Sequence, residues 1–299
     1  MNIMVVLNYN DADTTIEYLE TVKTYSVIDK IIVVDNCSTD DSYGRIEQLK
    51  SEKIDVILSN GNYGYAAGNN YGISYAMRLY NPDYIIISNP DIEVSEKTVQ
   101  HLIDFLKRKE KVAVVTGLIY NKGAIVQNFA WRLPDFGAVL RGNSGIMHTI
   151  YERKSGKSMY YSLEEANEDG SLEVEVVPGC YFVMRSSIWM EIGGFDERTF
   201  LFWEENILGY ILREKGQKLY VLTNDPVVHK ESISINKNVK GFCKKRKINY
   251  KSEQIYVRYY LKKGICKRIL HHFVYWYGMI EGLLYVQYSD WKRKRGKKS

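Results

Sequence analysis

Short apolar runs and longer mixed segments alternate along the first 120 residues. Residues 1–7 form an apolar run ending in Asn8-Tyr9-Asn10, and the Asp13-Thr14-Thr15-Ile16-Glu17 segment that follows has the early acids of a helix start. Residues 30–34 end in a continuous Ile/Val run of the kind found in parallel strands buried on both faces. The same reading predicts a helix over 42–50, a strand over 55–58, a helix over 69–80, a strand over 84–88, a helix over 95–109 and a strand over 112–116. Strands and helices alternating in this way define an α/β fold on a doubly wound, mostly parallel, Rossmann-like sheet.

Between 120 and 176 the periodicity weakens, and a loop-rich excursion over the sheet is expected. Order returns with an apolar strand in 176–184, a short helix over 186–192 closed by Gly193-Gly194, a helix over 205–216, a strand over 218–222 and then His229. The expected division is a domain over 1–238, with halves 1–119 and 120–238, and a helical tail over 239–299. The tail interleaves basic clusters (Lys244-Lys245-Arg246-Lys247, Lys262-Lys263, Lys267-Arg268) with aromatics and ends in Trp291-Lys292-Arg293-Lys294-Arg295. Its apolar stretch, 273–288, is interrupted by Glu281 and Gln287 and falls short of the ~20 residues of a spanning helix. It suits a membrane interface instead.

Composition changes this picture in two respects. At 299 residues and 45% hydrophobic, the chain has enough apolar material for a substantial core and an enzyme-sized site. The net charge of +5 conceals a split: residues 240–299 hold 17 Lys/Arg against 3 Asp/Glu, a net of +14, whereas residues 1–239 hold 24 against 33, a net of −9. Four cysteines without CxxC spacing and no signal-peptide pattern lead to the expectation of a cytoplasmic protein with free thiols.

Polar groups cluster just past the predicted strand ends, where open α/β sheets bind ligands. Asn89-Pro90-Asp91 places a carboxylate beyond a buried strand, suited to a hard divalent cation that neutralises a diphosphate, although Asn, Pro and Asp are also ordinary turn formers. Asp35-Asn36, in the run Val33-Val34-Asp35-Asn36-Cys37-Ser38-Thr39-Asp40, can accept the imide N–H of a pyrimidine or merely cap the next helix. In the segment from Asn62 through Gly64, Gly68 and Asn69 to Gly72, the glycines permit close backbone approach and the helix start favours an anion. Glu204-Glu205 follows Phe202-Trp203; adjacent carboxylates in apolar surroundings have raised pKa values, so one can serve as a general base, while first-turn glutamates also simply favour the helix dipole. His229 is either a metal ligand or a satisfied surface group.

Taken in order, these segments resemble the inverting family 2 glycosyltransferases of GT-A fold, and most closely their rhamnosyltransferase-like branch of bacterial surface-polysaccharide synthesis. The marks are Asn8-Tyr9-Asn10, VVDNCSTD, NYGYAAGNNYGI, Asn89-Pro90-Asp91, VPGCYFVMRSSIWMEIGGFDE, and FLFWEENILGYILREKG followed by His229; the resemblance runs to Ser234. It implies a nucleotide-binding half over 1–119 and an acceptor-side half over 120–238. Asp35 would read the pyrimidine with help from Asn8 and Asn10, while Asn62, Gly64, Gly68, Asn69 and Asn89 would shape the nucleotide-sugar pocket. Asp91 would bind Mn²⁺ or Mg²⁺, completed by His229, and Glu205, supported by Glu204, would deprotonate the acceptor. The implied donor is a dTDP- or UDP-sugar carrying rhamnose or a hexose, and the implied acceptor a polyprenyl-diphosphate-linked or glycan hydroxyl in capsule or cell-wall synthesis.

Three departures stand out: Glu204-Glu205 replaces the usual Glu-Asp, Ile207 stands at an often acidic position, and Asn89 opens the metal motif. Either acid of the pair is therefore a candidate base. A nucleotidyltransferase is disfavoured because no Gly/Lys-rich phosphate loop follows the first strand. A nucleic-acid- or membrane-binding protein with an inactive glycosyltransferase-like domain would account for the tail, but the acidic balance of residues 1–239 speaks against nucleic acid. The expected site for the tail is the anionic inner face of the cell membrane, as a peripheral anchor, with a homodimer element as the alternative.

Overall fold

A computed structural model describes residues 1–230 and 241–296, apart from the side chains of 290, 291 and 293–296. The expected boundary at 238/239 and the end of the resemblance at Ser234 lie outside the described residues. The chain separates into two compact units, one of residues 1–133 and 160–238, the other of residues 134–159 and 239–299.

The first unit is an α/β body. Its N-terminal strands β1 (Asn2–Asn8), β2 (Lys30–Asp35), β3 (Ile54–Leu58) and β4 (Tyr84–Ser88) lie in the order β3-β2-β1-β4, all parallel. The helices α1 (Ala12–Val22), α2 (Ser42–Glu47) and α3 (Tyr65–Tyr80) connect them. The order reverses between β1 and β4, so the crevice beyond their C-terminal ends is the topological switch point of the sheet. Strand burial follows the continuous Ile/Val runs: every residue of β2 and β4 is buried. After β5 (Ile92–Val94) and α4 (Glu96–Arg108) come β6 (Val112–Asn121) and β7 (Ala124–Ile125). Farther along, β8 (Ser171–Val174), β9 (Tyr181–Arg185) and β10 (Lys218–His229) complete a ten-stranded sheet, together with helices α7 (Ser186–Ile192) and α8 (Glu204–Glu214).

The second half of the sheet is mixed. β9 inserts antiparallel between β4 and β6, and β10 runs parallel to β6 with β5 and β8 antiparallel on its other edge. α3 starts at Tyr65, four residues before the expected Asn69, because Gly64 takes φ 101° at the N-cap and lets the helix begin at once. Gly68 and Asn69 therefore lie on the first turn of α3 rather than in a loop.

The second unit is helical. The excursion expected to be loop-rich contains α5 (Phe136–Gly142) and α6 (Gly145–Ser155), with Asp135 and Ser144 as side-chain N-caps. The tail supplies α9 (Phe242–Ile255), a π-helical turn over Tyr256–Tyr260, and α10 (Ile265–Gly296). Tyr250, Tyr275 and Met279 form its small core, with Phe242 packed against them, and the Tyr250 and Tyr275 rings stack at 3.7 Å. A buried polar knot lies within the unit: Glu253 accepts from Asn143 Nδ2 and meets His271 Nε2, and Arg246 donates to the Asn143 carbonyl at 2.9 Å. Among the described residues no helix is long and apolar enough to cross a membrane.

Candidate active site

The sequence-predicted residues assemble as a continuous chain of contacts along the C-terminal ends of β1, β2 and β4. At its first end, Asp35 is fully buried and its carboxylate is already engaged. Oδ2 accepts from Asn8 Nδ2 at 2.7 Å and from Ser38 Oγ at 2.8 Å, while Oδ1 accepts from the Ser38 amide at 2.8 Å. Thr15 Oγ1 donates to Asn8 Oδ1 at 2.9 Å, which fixes the amide orientation of Asn8. The Asn10 amide donates to Ser38 Oγ at 2.9 Å, and Asn10 Oδ1 accepts from the Thr39 amide at 2.7 Å. Asn10 and Cys37 both take left-handed backbone, turning the loops after β1 and β2 toward one another. Asp35 thus organises these two loops, and Ser38 and Thr39, which sequence reading did not single out, are the groups through which it does so.

The next link is Asn36, whose Nδ2 donates to Asn62 Oδ1 at 3.1 Å and to the Gly64 carbonyl at 3.2 Å. The Gly64 amide in turn donates to Asn62 Oδ1 at 3.1 Å. A Cβ at Gly64 would lie 2.0 Å from the Phe200 carbonyl oxygen, so only glycine allows this turn to touch the Phe200 loop, where the Tyr65 amide donates to that oxygen at 2.8 Å. Gly68 plays a similar part against Leu7, 2.5 Å from its added Cβ, which seats α3 on the end of β1. Asn69 is buried and its side chain turns back to the Tyr65 carbonyl at 2.9 Å. Its neighbour Asn70, not predicted, exchanges two 2.9 Å hydrogen bonds with the Phe195 backbone and anchors the Gly193-Gly194-Phe195 turn.

From Tyr65 the chain continues to the paired acids. Tyr65 OH donates to the Gly179 carbonyl at 2.5 Å, and the Gly179 amide donates to Glu205 Oε1 at 3.3 Å. A Cβ on Gly179 would stand 2.8 Å from that oxygen, so glycine there makes room for Glu205. Phe202 and Trp203 precede the pair with φ 72° and 75°, two consecutive bulky residues in the left-handed region. Strain of this kind persists only where the surroundings over-determine it and concentrates at functional sites. It aims the two acids differently: Glu204 is 3% exposed with Oε1 lacking a hydrogen bond, whereas Glu205 is half-buried beside Gly179. Burial, and then repulsion from Glu205, raises the Glu204 pKa well above the usual carboxylate range; burial raises that of Glu205 as well.

The last link is built by strand pairing. β10 lies antiparallel to β5 with His229 opposite Ile92, which brings His229 Nε2 to 3.2 Å from Asp91 Oδ1 across 138 residues of sequence, off the line of a good hydrogen bond. Burial pushes the imidazole pKa down, but Asp91 and Cys180 more than offset it and lift it to about 10. The Asn89 amide donates to the Cys180 carbonyl at 2.8 Å, tying the Asn89-Pro90-Asp91 turn to the residue after Gly179. Among the described residues, no group of three or more His, Cys, Asp or Glu side chains is placed to cage a metal. A buried carboxylate and an imidazole with nothing further suit a cation that keeps waters and takes phosphate oxygens.

The Asp91–His229 pair and the Glu204-Glu205 pair thus lie in the α/β unit whose sheet has its topological switch point between β1 and β4, the place where open α/β sheets bind ligands. Residues 3–190 match the family model "Glycosyl transferase family 2", and the chain belongs to that family. It is 23% identical over 230 residues to the low-salt glycan biosynthesis hexosyltransferase Agl10 of Haloferax volcanii, covering 75% of this chain and 67% of that protein. It is 22% identical over 215 residues to the N-acetylglucosaminyl-diphospho-decaprenol L-rhamnosyltransferase of Mycobacterium tuberculosis, covering 70% and 68% respectively. In fold it is similar to GalNAc-T7, crystallised with UDP, GalNAc and Mn²⁺, at a TM-score of 0.63 and 13% identity, over 87% of this chain. The chain spans about half the length of that structure, 48%. The family and fold expectations drawn from the sequence therefore hold.

Proposed function

We propose that the chain is an inverting transferase that moves rhamnose or a hexose from a dTDP- or UDP-sugar to a hydroxyl of a polyprenyl-diphosphate-linked or glycan acceptor in surface-polysaccharide synthesis. The observation that carries this reading is the unbroken run of contacts from Asp35 through Asn36, Asn62, Gly64, Tyr65 and Gly179 to Glu205, with Cys180 and Asn89 continuing it to Asp91 and His229. On this reading the run has a base-binding end at the β1 and β2 loops, a phosphate end at Asp91 and His229, and a proton-accepting end at Glu205. Relatives named as a hexosyltransferase and as a rhamnosyltransferase using a decaprenol-linked sugar support the donor and acceptor classes.

In this mechanism the loops after β1 and β2, which Asp35 and Asn8 hold together from beneath and Asn10 ties at Ser38 and Thr39, receive the nucleotide base, and the Asn62-to-Asn69 turn with Asn89 cradles the sugar diphosphate. Asp91 and His229 would hold Mn²⁺ or Mg²⁺, which when bound stabilises the negative charge developing on the departing diphosphate. Glu205, the more accessible acid, takes the acceptor proton at Oε2 or Oε1, and the alkoxide attacks the anomeric carbon opposite the nucleotide, inverting it. Glu204, 3% exposed at the start of α8 and with its pKa raised well above the usual carboxylate range by burial and by Glu205, is the acid of the pair that favours its protonated form. The basic helical tail is assigned to the anionic inner face of the cell membrane, where a lipid-linked acceptor resides.

Thermal melts with UDP and dTDP, each with and without Mn²⁺, test the reading. One nucleotide should raise Tm in a metal-dependent way, and Asp91→Ala should abolish the metal-dependent part. A flat response from folded protein to both nucleotides would refute it.

A further inference from the structure

The helical unit leaves one of its own faces bare. α10 turns His271, Tyr275, Gly278, Met279 and Gly282 inward: His271, Tyr275 and Met279 are at most 3% exposed, and added Cβ atoms on the two glycines would collide with the Asn143 carbonyl and the Phe242 ring. At about 100° per residue these positions share one side of the helix. Ile269, Phe273, Trp276, Tyr277, Ile280 and Leu284 occupy the opposite side, on an arc of roughly 100°. Each of the six is 46–68% exposed. A helix apolar on both sides is expected to have both sides covered.

Glu281, which in sequence interrupts this apolar stretch, does not interrupt the surface. Its Oε1 accepts from the Ile146 amide at 2.8 Å and its Oε2 from Ser144 Oγ at 2.8 Å, so the carboxylate is spent capping the start of α6. Ile146 and Ile150, one turn apart on the helix that Glu281 caps, are likewise exposed, at 50% and 49%. Lys267 and Arg268 lie on the far side of α10 from this strip by helical angle, so its apolar surface is not interrupted by them. Lys244 and Lys247 on α9 are exposed.

We infer that this face docks on a lipid bilayer: α10 lies in the interfacial plane of an anionic membrane, with Phe273, Trp276, Ile280 and Leu284 immersed and Ile146 and Ile150 of α6 beside them. Charge selects this occupant. A tail with a net of +14 complements anionic headgroups, whereas a second copy would bring an equal positive charge against it. The strip is also broader than the two-per-heptad seam of a helix pair, and Trp and Tyr are the aromatics that favour a headgroup boundary. The inference rests on the membrane-side reading above, but it is tested by lipid binding without turnover, so its failure and that of the transfer reaction are separable.

The test is flotation of the full chain with phosphatidylcholine vesicles, with and without phosphatidylglycerol. Wild type should float with the anionic vesicles and not with the neutral ones. Phe273→Glu/Ile280→Glu/Leu284→Glu, and separately Lys244→Gln/Lys245→Gln/Lys247→Gln, should each weaken binding about tenfold or more. Both variants should keep the far-ultraviolet circular dichroism and the cooperative thermal melt of the wild type without added nucleotide, which shows them folded. Absence of wild-type binding to anionic vesicles, or equal binding by the folded glutamate variant, would overturn the inference. So would a wild-type dimer in light scattering that the glutamate variant splits while no vesicle binding occurs.

Discussion

Glu204 and Glu205 are neighbours in sequence with opposite fates, because the left-handed backbone of Phe202 and Trp203 turns one inward and leaves the other at the rim. Glu205→Gln should lower kcat by about 10²–10⁴-fold with donor binding retained, the range for loss of a general base. Glu204→Gln, which imitates the protonated acid, should leave kcat within about tenfold; comparison of the two in a single-turnover assay decides which acid accepts the proton. The pH dependence has a definite sign. Glu205 must be ionised to act, and burial raises its pKa from 4.5, so the acid limb of kcat should sit above the ordinary carboxylate range. For stability, the folded chain keeps the Glu204 proton at pH values where the unfolded chain has lost it. Stability should therefore fall as pH rises above about 4.5, by up to about 1.4 kcal/mol per pH unit, until Glu204 ionises in the folded state. Glu204→Gln should flatten that slope in urea melts between pH 5 and 8, and an unchanged slope would remove Glu204 from the account.

Among the elements, legibility in the sequence followed burial. β2 and β4 were plain from their Ile/Val runs, and α4 from its apolar face, with Val99, Leu102, Ile103 and Leu106 fully buried. α6 was not, because none of its residues is buried and an exposed helix writes no apolar period; its one local signal was the Ser144 N-cap. The antiparallel insertion of β9 was hidden for a different reason, since strand direction depends on partners far away in sequence. Small residues are another non-local feature. A Cβ on Gly278 of α10 would lie 1.6 Å from the Asn143 carbonyl oxygen, a backbone atom that cannot swing aside. Gly278→Ala should destabilise the helical unit by about 1–3 kcal/mol, whereas Gly264→Ala, with nothing within 4 Å, should stay within about 0.5 kcal/mol in the same denaturation series.

At the scale of the whole molecule, the residues proposed for the site were legible as separate motifs, and the contacts that join them were not. Asp35, Asp91 and Glu205 were each visible beyond a strand or at a helix start, but their linkage runs through Asn36, Tyr65, Gly179 and Cys180, residues whose roles are set by who meets them in space. The helical unit repeats the lesson, since residues 134–159 join the tail helices in one compact body although some 80 residues separate the two segments. Asn143 is 2% exposed and Ser144 1% exposed within that body, and their partners Arg246, Glu253 and Glu281 all come from the tail. Ending the chain at residue 238 removes these partners together with the Tyr250–Tyr275–Met279 core, leaving α5 and α6 as short helices without a packed face. Helices of this length are marginal in water without tertiary contacts. Trypsin should then cut at Arg141, Arg153 and Lys154 at least about tenfold faster than in the full chain, as local opening approaches zero cost. Equal cutting rates, followed by mass spectrometry of the fragments, would mean that α5 and α6 hold their structure without the tail.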